Sequence, residues 1–488
     1  MNDIDVPEYG AVFTFGKSGF AENFPSHFFI RNDPIVEIAC GQQHTAVVCE
    51  NGRVFSFGNN EWGQLGLGHR ESINKPSCIK SLKPDKVKHV ACGRVHTIFT
   101  TENGKVYSCG RNTDGQLGIG DNETLDYAAL PMFVTEIDDE IVQLTAGSHH
   151  SLLLTAKGTV YGWGSNANGQ LVADKYETSV YVDPTPLKVP FFVTYISSNY
   201  YRSAFITDQK ILYSCGDDDD DNEENMHTNP QNPLREAKVP GNIKSVACGH
   251  HHNVVLTDEG TCYTRGDNTF GQLGVENLSS SSQWLSVPFE DDVIINAISA
   301  GDNHSMFLTD TGILYACGDS RYGKLCTNNK TENVTKPTKI QFSISNLQVE
   351  KVVCGERHTM VMARPTSSEN TLPTIEEIKN RRTEFSNMNE TTRTKHSICE
   401  FDSSQEQDYF VDFSNSKDDR TYECKNGRVN GQNSTDENSS IHQLNDAKTN
   451  GISSKDSSDC IIREISTSYL QDSDEIQVGI PASSNDVR

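Results

Sequence analysis

One short pattern recurs at nearly regular intervals along the first 364 residues of this 488-residue chain. The pattern is a glycine followed three positions later by a histidine, as in Ala39-Cys40-Gly41-Gln42-Gln43-His44. Its six intact copies are Gly41 and His44, Gly93 and His96, Gly147 and His150, Gly249 and His252, Gly301 and His304, and Gly355 and His358. A seventh copy has Asn199 in the place of glycine and Arg202 in the place of histidine. Because the anchor positions 41, 93, 147, 199, 249, 301 and 355 are 50 to 54 residues apart, the sequence indicates a propeller or a solenoid built from repeats.

The residues between successive anchors favour the propeller. The run Thr45-Ala46-Val47-Val48 follows the first anchor, and Asn51-Gly52 separates it from Val54-Phe55-Ser56-Phe57. An Asn-Gly pair between two β-rich runs is a strong hairpin signal, because type I′ turns need positive φ angles at both central positions. Each copy contains about four strand candidates, which is the content of one propeller blade. We therefore predict an all-β, seven-bladed β-propeller over residues 1–364.

The two ends of this region are predicted to share one blade. The last anchor, Gly355, is followed by a single strand candidate, Thr359–Met362. The N-terminal stretch Gly10–Gly16 matches Gly52–Gly58, which contains the second β-rich run of the first repeat. We therefore predict that the N-terminal strand completes the seventh blade and removes an open sheet edge.

Composition separates the propeller from residues 365–488. This tail is rich in Ser, Asn, Asp and Glu, and its sparse apolar residues show no periodicity, so we predict that it is disordered. The whole chain carries 42 basic and 67 acidic residues, a formal net charge of −25, which argues against binding to nucleic acid. No stretch approaches eighteen apolar residues and no apolar signal segment begins the chain, so we expect a cytoplasmic protein without direct membrane insertion.

The repeated histidines could suggest a ring of metal ligands, but the spacing of a propeller excludes it. Equivalent positions in packed sheets lie about 10 Å apart, whereas zinc donors lie about 2.0–2.1 Å from one ion. We interpret the repeated glycines and histidines as structural, with each imidazole bonding within its own blade. The sequence has no C-x-x-C pair, and Gly16-Lys17-Ser18 lacks the spacing of a phosphate-binding loop. We therefore predict no metal, no cofactor and no catalytic residue.

The fourth repeat supplies the candidate partner-binding residues. The acidic run that includes Asp217, Asp218 and Asp219 could attract a basic partner or a hard cation, or it could be a solvated loop. Tyr200 and Arg202 belong to residue types enriched at protein interfaces. Strand packing would explain the tyrosine equally well.

The Ala-Cys-Gly-x-x-His frame, followed by strings such as Gly63-Gln64-Leu65-Gly66, resembles the repeats of the regulator of chromosome condensation family. The first two repeats resemble more closely the branch of that family that regulates GTPases at the cilium. Three repeats depart from the family pattern. The fourth has the acidic run in place of Gly-Gln-Leu-Gly, the third ends Leu171-Val172, and the sixth has Gly323-Lys324-Leu325-Cys326.

The resemblance implies a non-catalytic interaction scaffold at the base of the cilium, in the basal body or transition zone, that regulates protein transport. The partners it implies are a transition-zone interacting protein, an Arf-like small GTPase and the prenyl-binding delta subunit of a phosphodiesterase. The alternative is a guanine-nucleotide exchange factor for a small GTPase of the Rab or Ran type. A propeller could perform exchange without acid–base chemistry, by holding the GTPase in a conformation that binds nucleotide weakly.

Overall fold

The computed structural model describes residues 6–20, 26–120, 124–173, 179–216, 234–290, 293–327, 332–340, 347–366 and 476–479. Their regular elements are β-strands and two short 3-10 turns, Lys80–Leu82 and Arg321–Gly323. The strands form seven separate sheets. This confirms the predicted all-β, seven-bladed propeller.

The strands follow one another in chain order, four to a blade. The first two, which belong to the last blade, are β1 (Ala11–Gly16) and β2 (Ser26–Ile30). Blade 1 has β3 (Ile35–Cys40), β4 (His44–Cys49), β5 (Val54–Gly58) and β6 (Ile73–Cys78). Blade 2 has β7 (Val87–Cys92), β8 (His96–Thr101), β9 (Lys105–Arg111) and β10 (Tyr127–Glu136). Blade 3 has β11 (Ile141–Ala146), β12 (His150–Thr155), β13 (Val160–Ser165) and β14 (Val180–Pro186).

The remaining blades repeat the arrangement. Blade 4 has β15 (Val193–Asn199), β16 (Arg202–Thr207), β17 (Leu212–Gly216) and β18 (Arg235–Ala237). Blade 5 has β19 (Ile243–Cys248), β20 (His252–Thr257), β21 (Cys262–Asp267) and β22 (Ser280–Ser286). Blade 6 has β23 (Ile295–Ala300), β24 (His304–Thr309), β25 (Leu314–Gly318) and β26 (Val334–Lys339). Blade 7 begins with β27 (Leu347–Cys354) and β28 (His358–Pro365).

The core lies between the blades, because the second strand of each blade is buried on both of its faces along most of its length. All six residues of β4, β8, β12, β20 and β24 are buried. One cluster joins Val12 and Phe28 of blade 7 to Ile38, Val47 and Phe57 of blade 1. Each blade therefore buries its apolar surface against its neighbours, and the ring is stable only as a whole.

Blade 7 joins the two ends of the propeller, as the sequence predicts. Strand β1 pairs with β28 from Ala11 opposite Ala363 to Gly16 opposite His358, and β2 pairs with β1 on its other side. The blade also has a fifth strand, β29 (Ile476–Gly479), beside β2. The prediction of a disordered tail did not anticipate this strand, and the rest of that prediction, residues 367–475 and 480–488, lies outside the described residues.

Candidate functional site

The repeat motifs gather at one end of the propeller, here called the motif face. In six blades the chain passes through the glycine–histidine motif between the first and second strands, and blade 4 has Asn199 and Arg202 at the same place. In blades 1, 2, 3, 5 and 6 it also passes through the Gly-Gln-Leu-Gly-type loop between the third and fourth strands. Both connections lie at the same end because the strands are antiparallel. The first strands contact one another around the ring, from β3 through β27 and back to β3. The residues that follow each anchor glycine therefore surround the mouth of the central channel.

The motif histidines join neighbouring blades. Each Nε2 atom lies within hydrogen-bonding distance of a hydroxyl oxygen on the second strand of the next blade. The pairs are His44 with Thr97 (2.8 Å), His96 with Ser151 (3.0 Å), His150 with Ser203 (3.0 Å), His252 with Ser305 (3.0 Å), His304 with Thr359 (3.0 Å) and His358 with Thr45 (3.1 Å). The expectation that each imidazole bonds within its own blade is therefore wrong, because the ring reaches across the seam between two blades.

The hydroxyl group on the next blade determines which nitrogen of the imidazole carries the proton. Thr97 Oγ1 donates to the carbonyl oxygen of Gln64 at 2.7 Å, so it accepts from Nε2–H of His44. Ser151, Ser305 and Thr359 make the equivalent bonds to carbonyl oxygens. Burial, with repulsion from His358, lowers the pKa of His44 to about 3, and the imidazole is neutral at physiological pH.

The anchor glycine is required by the close approach of its own histidine. A Cβ atom placed on Gly41 would lie 2.5 Å from Cε1 of His44, well inside van der Waals contact. The amide nitrogen of Gly41 also donates to the carbonyl oxygen of His44 at 2.9 Å. The anchor glycine and its histidine thus form one structural unit. We call this pair, together with the hydroxyl group that the histidine contacts on the next blade, the seam lock.

The seam between blades 4 and 5 has different side chains at all three positions of the lock. Arg202 stands where the other blades have histidine, and Asn253 stands where the following blade has serine or threonine. Asn199 replaces the anchor glycine, and its Nδ2 donates to the carbonyl oxygen of Cys248 at 2.9 Å. The predicted candidate Arg202 therefore marks a seam from which the common lock is missing.

An aromatic cluster lies beside this seam at the channel mouth. The ring of Tyr200 stacks on the imidazole of His250, with 3.5 Å between centroids, and its hydroxyl donates to Oδ2 of Asp302 at 3.2 Å. Tyr200 adopts a φ of 38°, which is strained for a side chain of this size. Next to it, Tyr201 stacks on His149, whose Nδ1 lies 3.0 Å from Oδ2 of Asp114.

Carboxylates and polar groups complete the mouth. Burial, together with repulsion from Glu356, raises the pKa of Asp302 to about 7. Glu356 accepts from Nε of Arg357 at 2.9 Å and from Nε2 of Gln43 at 3.5 Å. We call Tyr200, Tyr201, His149, His250, Asp302 and Glu356 the mouth cluster.

The outer part of the motif face, on blades 1 and 2, carries arginine and aromatic side chains. The guanidinium of Arg70 lies over the rings of Tyr127 (4.6 Å to the centroid) and Trp62 (5.9 Å), and that of Arg111 lies over Trp62 (5.0 Å). On the neighbouring rim of blade 2, Phe133 is 53% exposed. Tryptophan, tyrosine and arginine are the residue types most enriched at binding hot spots.

Blade 6 replaces the motif glutamine with a buried lysine. Nζ of Lys324 lies 2.6 Å from Oδ2 of Asp319, and both side chains are almost inaccessible. Burial opposes ionisation of Asp319, but hydrogen bonds from Arg321 and Lys324 prevail and lower its pKa to about 2. In blade 5 a glutamine, Gln272, makes the corresponding bond to Asp267 at 2.6 Å.

The structure thus brings together some of the predicted partner-binding residues and not others. Tyr200 lies in the mouth cluster, and Arg202 begins β16 at the same end of blade 4. Asp217, Asp218 and Asp219 lie outside the described residues; the chain reaches them from Gly216, which pairs with Arg202. Sequence reasoning missed His149, His250, Asp302 and Glu356. Their signal is that the two positions after each anchor glycine differ among blades while the flanking positions repeat.

Within the described parts of the chain, no group of three or more His, Cys, Asp or Glu side chains could hold a metal ion. A search of the same parts found no helix with the length and apolar character needed to cross a membrane.

Comparison with known proteins places these features in a family. The profile of the RCC1-like domain matches residues 8–199, and that of the regulator of chromosome condensation (RCC1) repeat matches residues 259–308 and 311–362. The X-linked retinitis pigmentosa GTPase regulator of Canis lupus familiaris is 42% identical over 363 residues, which cover 74% of this chain and 36% of that protein. The Homo sapiens protein of the same name is 42% identical over 365 residues, with 74% and 35% covered. The chain thus spans about a third of the length of these relatives.

Solved structures show the same architecture. Human WBSCR16 superimposes with a TM-score of 0.65 at 24% identity, over 73% of this chain and 99% of that one. Prp20p from Saccharomyces cerevisiae gives 0.62 at 22% identity, over 79% and 97%. The sequence-based assignment to RCC1 repeats, and within them to the similarity with the retinitis pigmentosa GTPase regulators, is confirmed.

Proposed function

Because this chain belongs to the family of RCC1-repeat propellers, we propose that it is an interaction scaffold that regulates a small GTPase through its motif face. The observation that carries this proposal is the mouth cluster. On a face where the seam lock repeats from blade to blade, Tyr200, His250 and Asp302 form a group that no other blade reproduces. The name of the relatives, retinitis pigmentosa GTPase regulator, supports the class of partner.

A binding role suits the chemistry of the motif histidines better than a catalytic one. Paired histidine and serine side chains resemble a nucleophile with its base, but Ser151 donates its proton to a carbonyl oxygen. Burial, with repulsion from neighbouring histidines, lowers the pKa of His96 to about 3, too low for a general base at neutral pH. These pairs therefore hold blades together and do not activate a hydroxyl.

In finer detail, we propose that the protein acts at the base of the cilium and controls protein transport there. The partners are the transition-zone interacting protein, the Arf-like GTPase and the prenyl-binding delta subunit that the resemblance implies. The second candidate is guanine-nucleotide exchange on a GTPase of the Rab or Ran type. The relatives' name favours it equally, because a GTPase regulator acts either by exchange or as an effector.

The test is a pull-down by the full chain of a panel of small GTPases, each nucleotide-free, GDP-loaded and GTP-loaded. Capture of a GTP-loaded Arf-like protein supports the scaffold, and preferential capture of a nucleotide-free GTPase supports exchange. Capture of none overturns GTPase regulation.

Two variants locate the interface. Tyr200→Asn keeps a residue that tolerates positive φ and removes the ring, so we expect affinity to fall at least about tenfold. Phe192→Ala is the matched control, because Phe192 is 46% exposed and lies against Gly158 in a turn at the opposite end of blade 3. An equal loss of GTPase affinity in both variants would show that the motif face is not the binding surface.

A further inference from the structure

The fourth strand of each of blades 1 to 6 is the outermost strand of its sheet, and the sequences of these strands protect their backbone edges. Unpaired strand edges attract other strands, and proteins blunt them with proline, charge or short length. Four outer strands contain proline, namely β6 (Pro76), β10 (Pro131), β14 (Pro184 and Pro186) and β26 (Pro337). Strand β18 has only three residues, two of them charged, and β22 begins with three serines.

The fourth strand of blade 7, β2, lacks these protections. Strand β2 reads Ser-His-Phe-Phe-Ile, without proline, lysine, arginine or a carboxylate. Its two faces are already used, because Phe28 packs on Phe20 and Phe57 and Phe29 packs on Tyr9. What β2 offers to a further partner is therefore its backbone edge.

That edge is paired with a distant segment of the same chain. Strand β29 is antiparallel to β2, with Ile30 opposite Ile476 and His27 opposite Gly479. Among the described blades, this is the sheet with five strands, and the other six have four. Ile476 follows the end of β28 at Pro365 by 111 residues (476 − 365).

We propose that the edge of β2 is a strand-docking site, which the Ile-Gln-Val-Gly segment of this chain fills in cis and an extended segment of a partner protein fills in its place. Such binding draws its affinity from main-chain hydrogen bonds, so the partner is a peptide in β conformation with β-branched residues at alternate positions. The site lies on the rim of blade 7, away from the mouth cluster. It therefore gives the scaffold a second docking surface, with the tail as a competitor.

The first experiment measures hydrogen exchange of the full chain with and without the substitution Val478→Pro. Proline removes one amide donor and fixes φ, so it disrupts the β29 pairing. We expect those amides of β2 that do not pair with β1 to exchange at least about tenfold faster in the variant, since a paired amide exchanges only on opening. Amides of β1 should keep their protection, which shows that the blade is intact. Ser483→Pro, in the same tail but outside β29, is the matched control and should leave β2 unchanged.

The second experiment titrates a fluorescent peptide of residues 472–482 into both proteins. We expect the Val478→Pro chain to bind it at least about tenfold more tightly than the wild-type chain, whose edge is filled in cis. A peptide that itself carries Val478→Pro should bind neither. Unchanged β2 exchange in the variant, equal peptide affinity for both chains, or no binding to the variant would each overturn the proposal. The GTPase panel should be unaffected by Val478→Pro, so failure of this proposal and failure of the GTPase assignment remain distinguishable.

Discussion

Six of the seven seams between blades are closed by the same lock, and the seam between blades 4 and 5 is closed differently. At the six, Nε2 of a neutral buried histidine lies within hydrogen-bonding distance of a hydroxyl of the next blade. At the seventh, Arg202 and Asn253 stand at those positions, and Tyr200 and His250 of the same two blades stack at the channel mouth. The seam without the common lock is therefore the seam beside which Tyr200 and His250 of the mouth cluster lie.

The strand pairing that closes blade 7 gives the largest expected effect. Deleting residues 1–20 removes β1, which pairs with β28 along its whole length, so β28 is left with an open edge and β2 and β29 lose their connection to the blade. We expect loss of cooperative unfolding, because the total stability of a domain is only about 5–15 kcal/mol and the deletion removes both the pairing and the buried side chains of β1. Thermal unfolding followed by tryptophan fluorescence is the measurement. An unchanged melting temperature would show that the ring does not need its N-terminal strand.

The contribution of the seam lock is tested by replacing the same position in a seam that has the lock and in the seam that lacks it. His96→Ala should lower the free energy of unfolding by about 3–4 kcal/mol, because it empties a fully buried site and removes the bond to Ser151. Arg202→Ala, at the equivalent position of blade 4, should cost less than about 1 kcal/mol. Urea denaturation of both variants gives the comparison, and equal costs would mean that the seams do not differ in strength.

The buried ion pair of blade 6 tests whether a lysine in place of the motif glutamine stabilises the loop as well as the glutamine of blade 5 does. Lys324→Ala should destabilise by about 2 kcal/mol, since Asp319 would keep only Arg321 as a charged partner. Lys324→Gln restores the residue of blade 5, where Gln272 bonds to Asp267, and should cost less than about 1 kcal/mol. Denaturation midpoints of the two variants distinguish the outcomes. A glutamine as costly as alanine would contradict the equivalence of the two blades.

The mouth cluster predicts a pH dependence opposite to that of an ordinary paired carboxylate. The pKa of Asp302 is raised from 3.8 to about 7 in the folded protein, chiefly by burial and then by Glu356. The folded state therefore keeps a proton that the unfolded state loses, and stability from this group falls as pH rises from about 4 to about 7. Asp302→Asn should raise the free energy of unfolding at pH 8 by about 1–2 kcal/mol relative to wild type, and by much less at pH 4. An equal gain at both pH values would mean that Asp302 is not protonated in the folded state.

The smallest effect concerns two loops that lost a glycine. Val172 and Cys326 occupy the last position of the Gly-Gln-Leu-Gly pattern with φ of 55° and 58°, where Gly66 has 70°. Val172→Gly should stabilise by about 1 kcal/mol, because a β-branched residue is strained in this region. Gly66→Ala is the reverse control and should destabilise. Calorimetry of the two variants is sufficient, and no gain at Val172 would show that local packing offsets the strain.

The repeat made the fold predictable, and its interruptions made the site hard to predict. Seven anchors and the match between Gly10–Gly16 and Gly52–Gly58 were enough to predict the blades and their closure, because each copy needs a neighbour to cover its apolar strands. The direction of the histidine bonds was missed, since spacing along the chain does not reveal whether a side chain reaches its own blade or the next. Four members of the mouth cluster, His149, His250, Asp302 and Glu356, were missed, because they come from four different blades and meet only around the channel. Strand β29 was missed because a strand of four residues is too short to show a periodic pattern of apolar residues.

Joining both ends of the propeller in blade 7 has a consequence for the way the molecule is held. Ala11 lies opposite Ala363, so the chain enters and leaves the ring at neighbouring points of one blade. Any polypeptide attached before β1 or after β28 is therefore connected to the propeller at blade 7. New chain ends introduced in the exposed turns of the other six blades, with the original ends of the propeller joined by a short linker, should give a ring of unchanged architecture.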